Sequence, residues 1–227
     1  MDGYKDLREI VQDMDTSQTI MEQRVYETLK NAILEGKLQG NQVLKTDELA
    51  SIFGVSRMPV RESLRALSSE GFVVFYPYRG ARVTPISQSE IEELTSVRIA
   101  LERMALMLLI PVPAGWKENM YHFLDEKYEQ LSDNAYILNV RNTEFHENLY
   151  NCIDHTILKE LLKNLRDKMR RYNILIPTTP TVKNEMLREH FEIVEACVNG
   201  SYELAAACMT KHLINFKNKI IKQMSEE

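Results

Sequence analysis

The chain has 227 residues, 44% hydrophobic and 27% charged, with only 8 glycines and 7 prolines. That composition excludes collagen-like, low-complexity and largely disordered chains and leaves room for two domains of ordinary size. The net charge of −5, from 28 basic and 33 acidic side chains, speaks against a nucleic-acid binder when taken whole. Divided along the chain it says otherwise. Residues 1–19 hold 2 basic and 5 acidic side chains, residues 20–84 hold 9 and 7, and residues 85–227 hold 17 and 21. A basic segment of net +2 therefore lies between an acidic extension of net −3 and an acidic remainder of net −4. Cys152, Cys197 and Cys208 are an odd set without a CxxC pair, which favours a reducing cytoplasm over a disulfide framework. The longest apolar run, Met104 to Val112, is about half of a bilayer span. The charged N-terminus has no apolar core of a secretory signal, so no membrane partner is expected.

In chain order, Ile20 to Leu34 places Val25, Leu29, Ala32 and Ile33 at a helical period, with Gly36 where a C-cap belongs. Thr46 precedes Asp47 and Glu48 as an N-cap for a short helix, Asp47 to Phe53, ending at Gly54. Ser56 caps the next helix, with Pro59 in its first turn, and this helix runs to about Glu70 and stops at Gly71. Leu49, Ile52, Val60, Leu64 and Leu67 are its core positions and those of the helix before. Two β-prone runs, Phe72 to Tyr76 and Ala81 to Thr84, flank Pro77-Tyr78-Arg79-Gly80 and predict a hairpin. Helix, helix, turn, helix, hairpin is a winged helix-turn-helix. Arg57, Arg61 and Arg65 recur every four residues and share one helix face. Three unpaired arginines so close repel one another unless an anion is expected there; a solvated charged face is the alternative.

The run Leu49-Ala50-Ser51-Ile52-Phe53-Gly54-Val55-Ser56-Arg57-Met58-Pro59-Val60-Arg61-Glu62-Ser63-Leu64-Arg65-Ala66-Leu67 carries a resemblance, together with Glu70-Gly71-Phe72-Val73 and Arg79-Gly80-Ala81-Arg82-Val83. It resembles the DNA-binding domain of GntR-type bacterial regulators, over roughly residues 20–84. The resemblance implies that Ser56, Arg57 and Met58 open the recognition helix. Arg57 and Arg61 become candidates for guanine or phosphate, since a guanidinium fork fits guanine O6/N7 or two phosphate oxygens. Arg65 lies further along, over the phosphate backbone or over nothing. Arg79 and Gly80 fall at the wing tip, where backbone can approach the minor groove. Two positions depart from the family. Asp47 stands where many relatives carry a DNA-contacting arginine, and Met58 replaces a common threonine, exchanging a hydrogen bond for an apolar contact such as a thymine methyl.

Thr84 to Ser89, with Pro85, reads as a linker, and from residue 90 to 227 the pattern is helical. Ser87 and Ser89 before Glu90, Glu92 and Glu93 mark a helix start, and Pro111 and Pro113 end that helix. Further helices are predicted at about 115–132, 135–152, 156–174, 180–198 and 201–223, an all-α bundle. All five histidines fall here, at 122, 146, 155, 190 and 212. Asn142 and His146, four apart, project from one face and can chelate one ion. His190 and His212 each stand beside an apolar stripe, and an imidazole facing a bundle interior is costly unless paired or metallated. Three histidine nitrogens and one oxygen suit Zn²⁺, Ni²⁺ or Mn²⁺ with positions open for water or a carboxylate.

Val97-Arg98-Ile99-Ala100-Leu101-Glu102, Asn142-Thr143-Glu144-Phe145-His146, Glu189-His190 and Lys211-His212-Leu213 are similar to the signatures of the FCD domain, a six- or seven-helix bundle of the FadR-like GntR branch. The resemblance covers about residues 88 to 222. Many members bind a metal through Asp or Asn and three histidines, which implies Asn142, His146, His190 and His212 here. Asn in place of Asp leaves the site one negative charge poorer. Small organic acids are the usual effectors of the branch. Arg98 matches the pocket arginine that would hold an effector carboxylate, although an Arg98–Glu102 ion pair at i,i+4 accounts for it equally. His155 stands where relatives often carry an asparagine near the effector, and either lines the pocket or caps a helix. His122 matches nothing and is expected at the surface. The expectation is a ligand-responsive regulator, a repressor, acting as a homodimer on a near-palindromic operator. Alternatives are a regulator for which the metal is itself the signal or merely structural and, more remotely, a metal-dependent hydrolase.

Overall fold

The computed structural model describes residues 18–129, 135–177 and 179–226, so most of the acidic extension 1–19 lies outside the described residues. The chain divides into two compact units, with the break between Ile86 and Ser87.

In the first unit the elements are α1 (Gln18–Leu34), β1 (Val43–Leu44), α2 (Thr46–Phe53), α3 (Arg57–Ser69), β2 (Val73–Tyr76) and β3 (Gly80–Val83). Val25, Leu29, Ala32 and Ile33 form the buried stripe of α1 and meet Leu49 and Phe53 of α2, and Val60, Leu64 and Leu67 of α3, in one core. Ile52 is only partly buried against it. Gly54 takes φ 65°, and its N–H reaches back to the Ala50 and Ser51 carbonyls, so α2 closes and α3 starts three residues on. A side chain at this φ would be strained. Thr46 is the first residue of α2 rather than its cap; Lys45 holds the cap position without a side-chain bond.

The two β-prone runs do pair as a hairpin, Val73 opposite Val83 and Tyr76 opposite Gly80. A third strand, β1, adds Val43 opposite Arg82, giving the antiparallel order β1-β3-β2. Two residues are too few for an alternating pattern, so this strand had no sequence signal.

The second unit contains α4 (Gln88–Leu109), α5 (Trp116–Glu129), α6 (Ala135–Leu149), α7 (Thr156–Arg170), a 3-10 turn (Asn173–Leu175), α8 (Pro180–Val198) and α9 (Tyr202–Glu226). No strand occurs among its described residues, as the helical periodicity requires. The Ser87 hydroxyl accepts from the Glu90 N–H at 3.4 Å, and Thr179 caps α8 with Pro180 in the first turn. Helix α7 stops at Arg170, four residues short of the periodic pattern, because Tyr172 turns inward. Its hydroxyl donates to Glu90 at 2.5 Å, Arg171 pairs with the same carboxylate, and Tyr172 also meets the Ser87 backbone at 3.2 Å. The core runs through Leu106, Phe145, Leu162, Ile193, Val194, Met209 and Leu213. Among the described residues no helix is long and apolar enough to cross a membrane.

Candidate nucleic-acid interface and metal centre

Helix α3 has two faces. Pro59, Val60, Ser63, Leu64 and Leu67 turn inward, and the Ser63 hydroxyl donates to the Glu22 carbonyl at 2.9 Å, fixing α3 against α1. Arg57, Met58, Arg61 and Arg65 face solvent, with Met58 65% exposed. Ser56 occupies the N-cap in extended conformation, yet its hydroxyl makes no capping bond. Such a group remains available to an external partner.

The expectation of three unpaired arginines is corrected by the structure. Arg57 Nε lies 2.6 Å from Asp47 Oδ1, and Arg65 Nη1 lies 2.8 Å from Glu62 Oε1. Arg61 alone of the three has no carboxylate partner among the described residues. The turn at Gly54 brings the first turn of α2 beside the first turn of α3, a meeting that sequence spacing does not show. Asp47 is therefore more than a lost arginine: it partly neutralises Arg57. Both residues are about two-thirds exposed, so this pair is weak and a phosphate can displace it. At the wing, Arg79 and Gly80 are exposed; Tyr78 (φ 61°) and Gly80 (φ 76°) both adopt the left-handed conformation that makes the turn tight.

The second unit holds its polar residues in the opposite way. Asn142 and His146 lie one turn apart on α6, His190 is on α8 and His212 on α9, and all four are buried. One ring nitrogen from each histidine lies within 4.8 Å of the others. The His190 ring stacks on Phe145 with centroids 3.7 Å apart, which fixes its plane. Glu189 accepts from His212 Nδ1 at 2.8 Å and from Asn215 at 2.6 Å. Burial alone would raise the Glu189 carboxyl, but these hydrogen bonds outweigh it and hold the group below its ordinary range. An ionised Glu189 keeps the proton on His212 Nδ1 and turns the Nε2 lone pair inward.

That lone pair faces His146 Nε2 at 3.3 Å. Burial pushes His146 and His190 well below the ordinary imidazole range; Arg98 and the neighbouring imidazoles add to this, so both rings stay neutral. The Asn142 side-chain oxygen is also buried without a hydrogen-bond partner. Inward imidazole nitrogens around an unsatisfied amide oxygen form a donor set for a borderline metal ion. Two nitrogens each about 2.0–2.1 Å from a tetrahedral ion sit about 3.3 Å apart, so the observed separation fits.

Around the histidines lies a second layer. Arg98 is buried, its Nε 2.9 Å from Glu102 Oε1, and the same oxygen is 3.5 Å from His146 Nδ1. The i,i+4 ion pair is thus real, while Arg98 Nη2 and Glu102 Oε2 have no hydrogen-bond partner. Arg166 of α7 is buried too, its Nε and Nη1 likewise without one; its nearest carboxylate, Glu147, is 3.9 Å away. Burial lowers the Arg166 guanidinium from its usual value, opposed by Glu102. A cavity of about 250 Å³ opens between α6 and α7, with His146, Tyr150, Leu162 and Arg166 among its walls. His155 is exposed at the N-cap of α7, makes no side-chain capping bond and does not line this cavity, although Thr156 beside it does. His122 is exposed.

Sequence reading missed Arg166, Glu189 and the part Glu102 plays towards His146. A signal existed for Arg166. Leu158, Leu162, Arg166 and Met169 form the buried stripe of α7, so a cation sits at an apolar position of the period. Glu189 gives no comparable sign, because its partner His212 is 23 residues away.

An exposed recognition helix and wing, followed by a helical unit with a buried histidine cluster, define a two-domain DNA-binding regulator. Residues 21–83 match the bacterial regulatory proteins of the gntR family, and residues 93–215 match the FCD domain, in which metal binding is common. The chain belongs to the gntR family, in the group that carries an FCD domain. It is 28% identical over 209 residues to the HTH-type transcriptional regulator YdhC of Bacillus subtilis, covering 89% of this chain and 91% of the relative. It is 24% identical over 218 residues to the HTH-type transcriptional repressor RspR of Escherichia coli, covering 90% of each. The gluconate operon transcriptional repressor of Bacillus subtilis is 27% identical over 157 residues, 67% of this chain and 63% of that protein. Among solved structures, Escherichia coli McbR/YncC has the same fold, with a TM-score of 0.72 at 21% identity over 93% of this chain and 100% of the other. The protein is a transcriptional regulator and not an enzyme, which removes the hydrolase alternative.

Proposed function

We propose that the protein is a ligand-responsive repressor acting as a cytoplasmic homodimer on a near-palindromic operator. Its reader is residues 20–84, joined through a linker from residue 85 to a bundle whose first helix starts at Gln88 rather than at residue 90. Ser56, Arg57, Met58 and Arg61 would meet the major groove, Arg65 the phosphate backbone, and Arg79 with Gly80 the minor groove. Two relatives that bear the name repressor support the direction of control.

In the bundle, Asn142, His146, His190 and His212 would hold a divalent Zn, Ni or Mn ion, which supplies a Lewis-acidic site for a small carboxylate effector. The observation that carries this reading is the cluster itself: three buried histidines with ring nitrogens within 4.8 Å of one another, beside a buried amide oxygen with no hydrogen-bond partner. Without a cation such an arrangement is costly. Arg98, whose Nη2 has no hydrogen-bond partner, is the proposed effector contact, whereas His155 is exposed and neither lines the cavity nor caps α7 through its side chain. Effector binding controls the operator only in so far as the acid prefers one of two dimer arrangements.

The test is elemental analysis of the purified protein, followed by operator-binding titrations with metal stripped, metal restored, and acids added. Metal near one ion per chain and an acid-dependent change in operator affinity support the proposal. A response to metal alone favours the second reading, in which the ion is the signal. No response to either overturns both.

A further inference from the structure

The effector is a dicarboxylate, we infer, with one carboxylate at the floor of the α6–α7 cavity and the second held nearer the mouth by Lys159 and Lys163. The inference rests on the small-acid reading above and deepens it. Three cations of α7 line the cavity, at positions 159, 163 and 166, and steps of four and three put them on one helix face. They differ in depth. Arg166 is buried with two nitrogens lacking hydrogen-bond partners, at the level of the buried His146. Lys159 is half-buried and Lys163 exposed, and neither has a carboxylate partner among the described residues.

Burying a guanidinium is costly without a hydrogen-bonded anion, and the two nearby carboxylates do not supply one: Glu102 is held by Arg98, and Glu147 is exposed and 3.9 Å away. Arg166 therefore marks the place of the first carboxylate. Along the helix axis Lys163 lies about 4.5 Å and Lys159 about 10.5 Å from Arg166. The two carboxyl carbons of an extended four- to six-carbon diacid lie about 4–6.5 Å apart, which brings the second carboxylate within reach of Lys163 and towards Lys159. Two acids, Glu147 and Glu160, also line the cavity but are exposed, so the lining keeps an excess of one positive charge: three cations against two carboxylates. The volume fits as well. A cavity of about 250 Å³ has room for a small diacid. Leu162 supplies an apolar wall for the methylene chain between the two charges.

The experiment is calorimetric titration of the zinc-loaded protein with succinate and adipate, against butanoate and hexanoate of matching carbon number. The expected result is that at least one diacid binds tenfold or more tighter than its matched monoacid. In the double variant Lys159→Gln/Lys163→Gln, that advantage shrinks to less than threefold while monoacid affinity stays the same. Both lysines reach solvent, so the variant keeps the fold, checked by its unfolding temperature. Equal binding of diacids and monoacids overturns the inference and leaves the small-acid reading standing, as does a double variant that keeps the full advantage. If no acid binds the zinc-loaded protein, the small-acid reading falls with it.

Discussion

Arg57, Met58, Arg61 and Arg79 of the winged unit stand in solvent, whereas Asn142, His146, His190 and His212 of the bundle are each no more than 5% exposed. The two regions accommodate function at different energetic cost. An exposed arginine is hydrated whether or not DNA is near, so the reader can be altered without endangering its core, which lies on the opposite face of α3. A buried imidazole or guanidinium has surrendered its water, and the fold tolerates it only with a partner. Operator contacts should therefore be separable from stability, and the metal centre should not.

The largest expected effect follows from the centre. His146→Ala should abolish metal binding, read by elemental analysis, and chelation of the parent protein should mimic its loss of stability. Metal at a thousand times its dissociation constant contributes about 4 kcal/mol, on the order of 10 °C in unfolding temperature for a unit of this size. Full metal occupancy in the variant would refute the assignment. Next comes pH. In the metal-free protein, His146 and His190 stay neutral when folded but take up protons near pH 6.5 when unfolded. The unfolded state then binds more protons, so stability is complete above that pH and declines below it, by up to about 1.4 kcal/mol per pH unit for each histidine. Denaturant midpoints between pH 7.5 and 5 measure the slope; a flat profile would contradict the burial argument.

Glu189→Gln tests the supporting hydrogen bond on His212 and should weaken metal binding roughly 10–100-fold, by competition with a chelator. Turning to the reader, Arg61→Ala should weaken operator binding by about 1–3 kcal/mol if it reads a guanine, with the unfolding temperature unchanged. A gel shift identical to the parent would remove Arg61 from the interface. The smallest effect belongs to Asp47→Ala. Releasing Arg57 should tighten DNA binding slightly and steepen its salt dependence by about 0.9 in the log–log slope, one phosphate's worth. An unchanged slope means that Arg57 already meets its phosphate in the parent protein.

The winged unit was the more legible of the two because its signals are local. Gly54, Ser56 and Pro59 set a turn and a helix start within six residues, and the period of Val60, Leu64 and Leu67 says which face is inward. What escaped was a through-space contact, Asp47 with Arg57, and a strand too short to alternate. In the bundle the helices were periodic enough to place, and Asn142 with His146 shared a face by spacing alone. Arg98 illustrates the limit: the spacing allowed both a helical ion pair and a ligand-facing arginine. The fold places Arg98 against Glu102 and leaves one of its nitrogens without a hydrogen-bond partner.

By itself the sequence determined the two-part architecture, the outward face of the recognition helix and the histidines worth watching, since each follows from periodicity, caps and turns within one element. Tertiary packing decided which charges meet. It set Asp47 beside Arg57, Glu189 on His212, and Arg166 in a cavity wall rather than on a solvated face. The reason is that electrostatic partners are chosen by distance in space and by the water that burial removes, and neither is a property of position along the chain.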